Sequence, residues 1–162
     1  TYVASNPGVA DDPLGFTFID DKQRLARDLL EVRFMVEPQM ARMAAEHATN
    51  DQVVCIKELC DESERLAEAG EDYSAADTAF HNAIAESSGN LVVPRLMGVL
   101  KASVPLFIDV TGKKLVEETI RTHRDVADAI ASRNPTAAHD AMYLHLVYNR
   151  NMIAEGTQEQ GE

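Results

Sequence analysis

Apolar residues recur every three or four positions along most of the chain, which is the spacing of one face of an α-helix. The first such stripe begins near residue 22, behind a capping aspartate at Asp20 or Asp21, and continues to about residue 48. A second follows a capping box formed by Thr49 and Gln52 and stops before a glycine at position 70. These patterns, with no convincing strand after the first 19 residues, predict an all-α bundle.

Three more amphipathic helices are predicted, over residues 73–88, over 114–133, and from Pro135 to about 155. Between the first two lies the most apolar stretch, residues 91–110, which two prolines interrupt. A helix that is hydrophobic nearly all round should be buried on every side. The pattern therefore predicts a central helix with a proline kink.

The two ends of the chain differ in composition from its middle. Residues 1–19 are rich in Pro, Gly, Asn and Asp, which is typical of a linker, and Thr1-Tyr2-Val3 looks like the end of a β-strand. We therefore expect a separate domain before this segment. The folded helical domain is predicted over residues 20–155, followed by a flexible tail at 156–162.

Charge and cysteine content exclude several classes of protein. The formal net charge of -12 repels nucleic acid, so these residues are not expected to bind DNA through a basic surface. Apolar runs fall well short of the roughly 20 residues that a transmembrane helix needs, so no membrane association is expected. Cys55 and Cys60 lie on different faces of one predicted helix. They are expected to be reduced structural cysteines in a cytoplasmic protein.

Ionisable side chains occupy inward positions on three of the predicted helices. Asp77 and His81 lie one turn apart on the buried stripe of residues 73–88, while His123 and His145 fall on the apolar faces of two later helices. Each histidine alone is more often an ordinary core residue than a metal ligand. One carboxylate and three imidazoles together predict a metal site, because unpaired polar groups are costly to bury. Spacing does not choose among zinc, nickel, cobalt, iron and manganese.

Arg33 and Asn90 are candidate effector-binding residues, each with a simpler alternative. Arg33 lies beside the apolar stripe of the first helix. It either extends to solvent or pairs with a neighbouring Glu, or it turns its guanidinium inward to bind a carboxylate through two parallel hydrogen bonds. Pro38 is expected to bend the helix just beyond it. Asn90 either caps the next helix or points its amide into the site.

Several short motifs occur in the order found in a known family. They are Asp28-Leu29-Leu30-Glu31-Val32-Arg33, Val36-Glu37-Pro38, Asp77-x-x-Phe80-His81, Ser88-Gly89-Asn90, His123 and Ala141-Met142-x-x-His145-Leu146. This set resembles the FCD domain, the effector-binding domain of the FadR-like branch of GntR-family transcription regulators. The resemblance covers roughly residues 21–154, and Thr1-Tyr2-Val3 is similar to the last strand of the winged-helix domain that precedes this module.

The resemblance implies an antiparallel bundle of six or seven helices around a central metal and ligand cavity. Asp77, His81, His123 and His145 would be the metal ligands, with zinc expected first and nickel or manganese as alternatives. Arg33 would meet the carboxylate of a small organic acid, such as a sugar acid, a hydroxy acid or a dicarboxylate. Because all four metal positions are filled, an acyl-CoA effector is disfavoured. The resemblance also implies a homodimer that binds DNA only through the winged-helix domain.

The function predicted first is therefore a ligand-sensing regulatory domain and not an enzyme. One alternative is a metal-dependent hydrolase or lyase, since an open metal site can activate water. Against it, the sequence offers no His-Glu-x-x-His motif and no evident second buried carboxylate to act as general base. The other alternative is a metal-stabilised helical dimerisation module. Arg33 distinguishes these hypotheses, because a structural metal site does not need a cation beside it.

Overall fold

The computed structural model describes residues 15–100 and 116–159, which form six α-helices behind a short 3-10 helix, Phe16–Phe18. The helices are α1 (Lys22–His47), α2 (Asn50–Glu68), α3 (Ser74–Ser87), α4 (Val93–Leu100), α5 (Val116–Ala131) and α6 (Pro135–Glu159). Neither of the two described ranges contains a β-strand. The prediction of an all-α bundle is confirmed.

Local capping signals set most of the helix ends. The side chain of Asp21 accepts a hydrogen bond from a backbone N–H in the first turn of α1, and Asn134 does the same for α6 at 3.1 Å. Thr49 and Gln52 form the complete capping box of α2. Gly70 follows the end of α2 with φ +71°, a left-handed conformation that favours glycine. All of these boundaries agree with the sequence predictions.

The helices pack around one continuous core. The two longest, α1 and α6, lie along each other, α5 packs against α6, and α2 packs against α3 and α5. Helix pairs joined by short turns, such as α2–α3 and α5–α6, are typical antiparallel neighbours in bundles. The large side chains of the core are Leu29, Met40, Ile56, Phe80, Ile84, Met97, Val126, Ile130 and Met142. Burial of each contributes about 1.5–3 kcal/mol.

The prediction of a central apolar helix after residue 90 is wrong for its described part. Helix α4 presents Met97 and Leu100 to the core. Leu91 just before it is 83% exposed, and Leu96 within it is 45% exposed. The stretch is therefore a short helix with one buried side at the edge of the bundle. Apolar content alone did not distinguish an edge helix from a central one.

Three residues of types that commonly interrupt helices all lie within helices of this bundle: Pro38, Pro94 and Gly156. Pro94 lies in the first turn of α4, where its missing N–H costs no helical hydrogen bond, so it begins a helix instead of kinking one. Pro105 lies outside the described residues. Helix α1 runs through Pro38 without ending there, and the bend at this residue stays a prediction. Helix α6 continues past Gly156 to Glu159; an interior Gly costs only about 1 kcal/mol relative to Ala. The flexible tail at 156–162 stays a prediction.

Ion pairs on the outside of the bundle fasten α5 to α2. Arg124 lies 2.5 Å from Oδ1 of Asp61 and also binds Glu64, and Lys57 lies 3.4 Å from Oδ1 of Asp128. Such a network holds better than an isolated surface pair. It fixes the helix that carries His123.

The two cysteines lie in different environments on α2, as predicted. Both are free thiols; Cys55 is exposed, whereas Cys60 is in the core. Burial, only partly offset by Arg124, raises the pKa of Cys60 to about 11. Across the described part of the chain, no helix has both the length and the apolar character needed to cross a membrane.

Candidate metal centre

Three helices bring three histidines to one buried point. One ring nitrogen from each of His81 on α3, His123 on α5 and His145 on α6 lies within 4.8 Å of the other two. The ring centroids are 4.6–5.4 Å apart, and all three side chains are buried. Positions chosen from the helical period therefore converge in space, although they are up to 64 residues apart (145 − 81).

Asp77 faces the same point from one turn before His81. Its Oδ1 lies 3.5 Å from Nε2 of His123, and its Oδ2 lies 3.8 Å from Nε2 of His81. Both separations are too long for a direct hydrogen bond. The carboxylate thus faces two ring nitrogens without binding either. All four predicted ligands lie together.

Several buried atoms of this cluster lack a partner among the described residues. Both ring nitrogens of His81 and Nε2 of His123 make no geometrically acceptable hydrogen bond. Each such group costs about 1–3 kcal/mol when nothing compensates for its lost hydration. A divalent metal ion would satisfy the Nε2 lone pairs and the charge of Asp77. Three nitrogens and one carboxylate oxygen suit zinc, and also nickel or manganese.

The environment keeps two of the imidazoles in the neutral form that binds metals. Burial is the main cause that lowers the pKa of His123 and His145 well below the usual value, and neighbouring positive charges lower both further. Arg33 is among those charges for each ring, so its guanidinium acts on the cluster. Burial raises the pKa of Asp77, whereas His81 and Arg33 oppose that rise.

Arg33 is buried and paired with Glu37, one turn later on α1. Its Nε donates to Oε1 at 2.5 Å and its Nη2 to Oε2 at 3.2 Å, and the two side chains are only 2% and 0% exposed. Burial alone would raise the pKa of Glu37, but Arg33 and then His81 outweigh it and hold that pKa well below its usual range. The Glu-pairing alternative is therefore what the structure contains. Binding of an effector by Arg33 stays a prediction.

Glu37 is also the second buried carboxylate that was not expected from the sequence. Its Oε2 lies 2.9 Å from Nδ1 of His81, which is ion-pair distance although the angle is not that of a hydrogen bond. The available signal was its position four residues after Arg33, since side chains at that spacing meet on one helix face. Thr122 and Asn149, which contact His145, were missed as well.

Asn90 lies away from the buried cluster, at the surface. It is exposed, and its Oδ1 accepts hydrogen bonds from the backbone N–H groups of Val92 at 2.8 Å and Val93 at 3.3 Å. The capping alternative describes this geometry, and nothing in it supports effector binding. His47 is exposed and His139 partly exposed, consistent with their predicted outward positions.

Fold and site together define an all-α domain with a buried carboxylate–imidazole cluster. The chain belongs to the FCD domain family, whose model matches residues 28–148. The family suggested by the sequence motifs is thereby confirmed.

Relatives of the chain are transcription regulators. It is 28% identical over 133 residues to the uncharacterized HTH-type transcriptional regulator YcbG of Bacillus subtilis, covering 82% of this chain and 56% of that protein. It is 27% identical over 141 residues to the galactonate operon transcriptional repressor of Escherichia coli, covering 85% of this chain and 62% of that protein. The chain thus spans less than two thirds of either relative.

A solved structure shares the fold. The GntR protein of Streptococcus agalactiae superposes with a TM-score of 0.77 at 35% sequence identity, over 93% of this chain and 69% of that one. The bundle seen here is therefore that of a GntR-type regulator.

Proposed function

We propose that this chain is the effector-sensing domain of a transcription regulator, and that it binds a divalent metal ion and a small organic acid. Asp77, His81, His123 and His145 would hold the metal. The observation that carries this proposal is the group of buried ring nitrogens without partners, facing one carboxylate. The regulator relatives support the regulatory role.

The residues of the chain supply a preformed donor set. His123 and His145 are held uncharged by burial, and Asp77 brings a negative charge to the same point. When bound, the metal would supply positive charge and open coordination positions for an anionic oxygen. Zinc is the first candidate, with nickel and manganese as alternatives.

The effector that fits this environment is a small carboxylate. The Arg33 guanidinium acts electrostatically on the histidine cluster and is held in place by Glu37. An effector carboxylate would share that guanidinium with Glu37. Sugar acids, hydroxy acids and dicarboxylates all carry an oxygen anion with further oxygens for coordination. One relative is named for the galactonate operon, which favours a sugar acid among these classes.

Regulation would follow from a difference in effector affinity between two arrangements of the bundle. DNA contact would belong to a winged-helix domain outside this acidic chain, since its relatives are longer and one is described as HTH-type. A two-fold homodimer is the assembly proposed, because regulators that bind two DNA half-sites commonly share the symmetry of the operator.

Metal analysis combined with thermal unfolding tests the metal proposal. The protein should bind one zinc ion per chain, and a chelator should remove it and lower Tm, because the metal binds only the folded state. His123→Ala should abolish the zinc-dependent part of the stability. His47→Ala, at an exposed histidine, is the matched control and should keep it. An identical Tm in samples shown to be zinc-loaded and zinc-free would contradict the proposal.

Calorimetry with a panel of organic acids tests the effector proposal. On zinc-loaded protein, Arg33→Ala should weaken binding of the best acid by about ten- to a hundredfold, which corresponds to loss of a charged hydrogen bond. Arg33→Lys should restore only part, since an ammonium group cannot reproduce the guanidinium fork. Zinc content should not change. Parent-like acid affinity in both variants would remove Arg33 from the effector site.

The buried carboxylate of Glu37 is the one feature that favours the hydrolase alternative. A buried carboxylate beside a metal site is the usual position of a general base. An effective base has a pKa near the working pH, whereas Arg33 and His81 hold the pKa of Glu37 well below that range. We therefore keep the sensory function and assign no catalysis.

A further inference from the structure

His145 has a hydrogen-bonding contact at each ring nitrogen. The hydroxyl oxygen of Thr122, on α5, lies 3.0 Å from Nδ1. The amide nitrogen of Asn149, one turn further along α6, lies 3.3 Å from Nε2. All three side chains are buried. The ring can therefore be assigned a tautomer from the groups around it.

The hydroxyl of Thr122 has only one hydrogen to donate. That hydrogen is directed to backbone carbonyls of its own helix, with Oγ1 at 2.7 Å from the oxygen of Glu118 and 3.3 Å from that of Thr119. Toward His145 the hydroxyl can then only accept. Nδ1 of His145 must be the donor, so it carries the ring proton.

The opposite nitrogen, Nε2, therefore carries a lone pair. The contact with Asn149 agrees, because an amide nitrogen is a donor and needs an acceptor opposite it. At His81 too, a carboxylate faces Nδ1, because Oε2 of Glu37 lies 2.9 Å away, although not at a hydrogen-bonding angle. Nε2 is also the nitrogen that His81 and His123 direct toward Asp77.

We propose that Thr122 is a positioning residue for the metal centre, which holds His145 as the Nδ1–H tautomer so that Nε2 is the ligand atom; the amide of Asn149 would release the Nε2 lone pair when the ion binds. The inference rests on the proposed metal site and assigns a role to a residue that does not itself touch the ion. Groups that orient a metal-binding histidine commonly change metal affinity ten- to a hundredfold when removed, because the ring loses its fixed orientation and tautomer.

The tautomer can be read in the metal-free protein by NMR. Long-range proton–nitrogen spectra of ¹⁵N-histidine-labelled protein distinguish protonated from unprotonated ring nitrogens, and a His145→Gln sample assigns the signals of His145. The parent should show a protonated Nδ1 and an unprotonated Nε2. Thr122→Val, which keeps the side-chain shape but removes the acceptor, should give a mixture of tautomers. Thr122→Ser should restore the parent pattern.

Zinc affinity, measured by competition with a chromophoric chelator, provides the second readout. Thr122→Val should weaken zinc binding by about ten- to a hundredfold, and Thr122→Ser should recover most of that loss. The absorption spectrum of the cobalt-loaded protein should change with Thr122→Val and return with Thr122→Ser. The matched control is Thr78→Val, because the hydroxyl of Thr78 makes the same bond to a carbonyl one turn earlier but, within the described residues, hydrogen-bonds to no histidine. It should leave affinity and spectrum unchanged.

Each outcome separates this inference from the metal proposal. A parent protein that binds no zinc would overturn the metal site itself. A parent that binds zinc but shows His145 protonated at Nε2 in the metal-free state would overturn the role of Thr122. Equal zinc affinity in the parent and in Thr122→Val would do the same. Should Thr122→Val fail to fold, the parent spectrum and Thr122→Ser still decide the question.

Discussion

At the scale of single residues, the most consequential feature is the buried pair of Arg33 and Glu37. Burying both charges costs hydration free energy. Their mutual attraction compensates for that cost only because the two groups are in direct contact and have further contacts. The pair ties α1 to α3 through His81. The pair therefore fixes the position of His81 as well as contributing to stability.

Removing one member of this pair should be far more harmful than removing both. Glu37→Gln leaves a buried, incompletely paired guanidinium, so the free energy of unfolding should fall by about 3–5 kcal/mol. The double variant Arg33→Met with Glu37→Met should recover most of that loss. Urea titrations in the presence of a chelator measure these changes without any contribution from metal.

A matched control lies on the same helix. Arg42 and Glu46 have the same four-residue spacing, with Nε and Oε1 3.4 Å apart, but they are exposed to solvent. Glu46→Gln should change the free energy of unfolding by less than about 0.5 kcal/mol. Equal losses for Glu37→Gln and Glu46→Gln would show that burial of the first pair has no energetic consequence.

At the scale of elements, α3 and the turn that follows it organise the site. Helix α3 carries two of the four candidate ligands, and it ends at Ser87, followed by Gly89 with φ +71°. A Cβ at Gly89 would lie 3.2 Å from the ring of His47, so a side chain there would be both strained and crowded. The chain then reaches Asn90, whose side chain accepts hydrogen bonds from the backbone just before and at the start of α4.

Two substitutions at Asn90 separate capping from effector binding. Asn90→Ala should lower the free energy of unfolding by about 1 kcal/mol, because the backbone N–H groups of Val92 and Val93 lose their acceptor. Asn90→Asp keeps an acceptor and should unfold like the parent. Calorimetry with the best acid should give parent-like affinity for both variants. Weaker acid binding in both variants would show that Asn90 contributes to effector binding.

Elements and ligands could be predicted to different degrees, for physical reasons. The start of α2 at Thr49 and its end before Gly70 follow from local hydrogen bonding, which adjacent residues determine. The inward positions of His81 and His123 follow from the helical period. The exposure of Leu91 and the contact between Glu37 and His81 depend on which helices pack together. A single sequence does not contain that information in its local patterns.

At the scale of the whole molecule, the candidate metal centre joins α3, α5 and α6. Metal binding would therefore stabilise the bundle as one cooperative unit. Reaction of the buried thiol of Cys60 measures how often that unit opens, because the thiol lies on α2 in the hydrophobic core and is not a predicted ligand. Cys55 on the same helix is exposed and serves as the accessible reference.

Labelling of Cys60 by a thiol reagent at pH 8 should slow when zinc binds. With a pKa raised to about 11, only roughly a thousandth of the native thiol is thiolate at that pH, and burial blocks access, so reaction requires opening of the bundle. Zinc at about a hundred times its Kd should stabilise the folded state by about 2.7 kcal/mol. If the opened bundle recloses faster than the reagent labels the thiol, the labelling rate should fall about a hundredfold.

The measurement is made in a Cys55→Ser background, so that only the buried thiol reacts, and stoichiometric zinc loading is verified beforehand. Introducing His123→Ala should make the rate independent of zinc, since the ion then loses one of its ligands. The four candidate metal ligands lie on other helices than the thiol of Cys60. Zinc can therefore slow labelling of that thiol only if the bundle opens as one cooperative unit. Fully zinc-loaded protein that labels at Cys60 as fast as zinc-free protein would show that the metal does not stabilise the bundle as one unit.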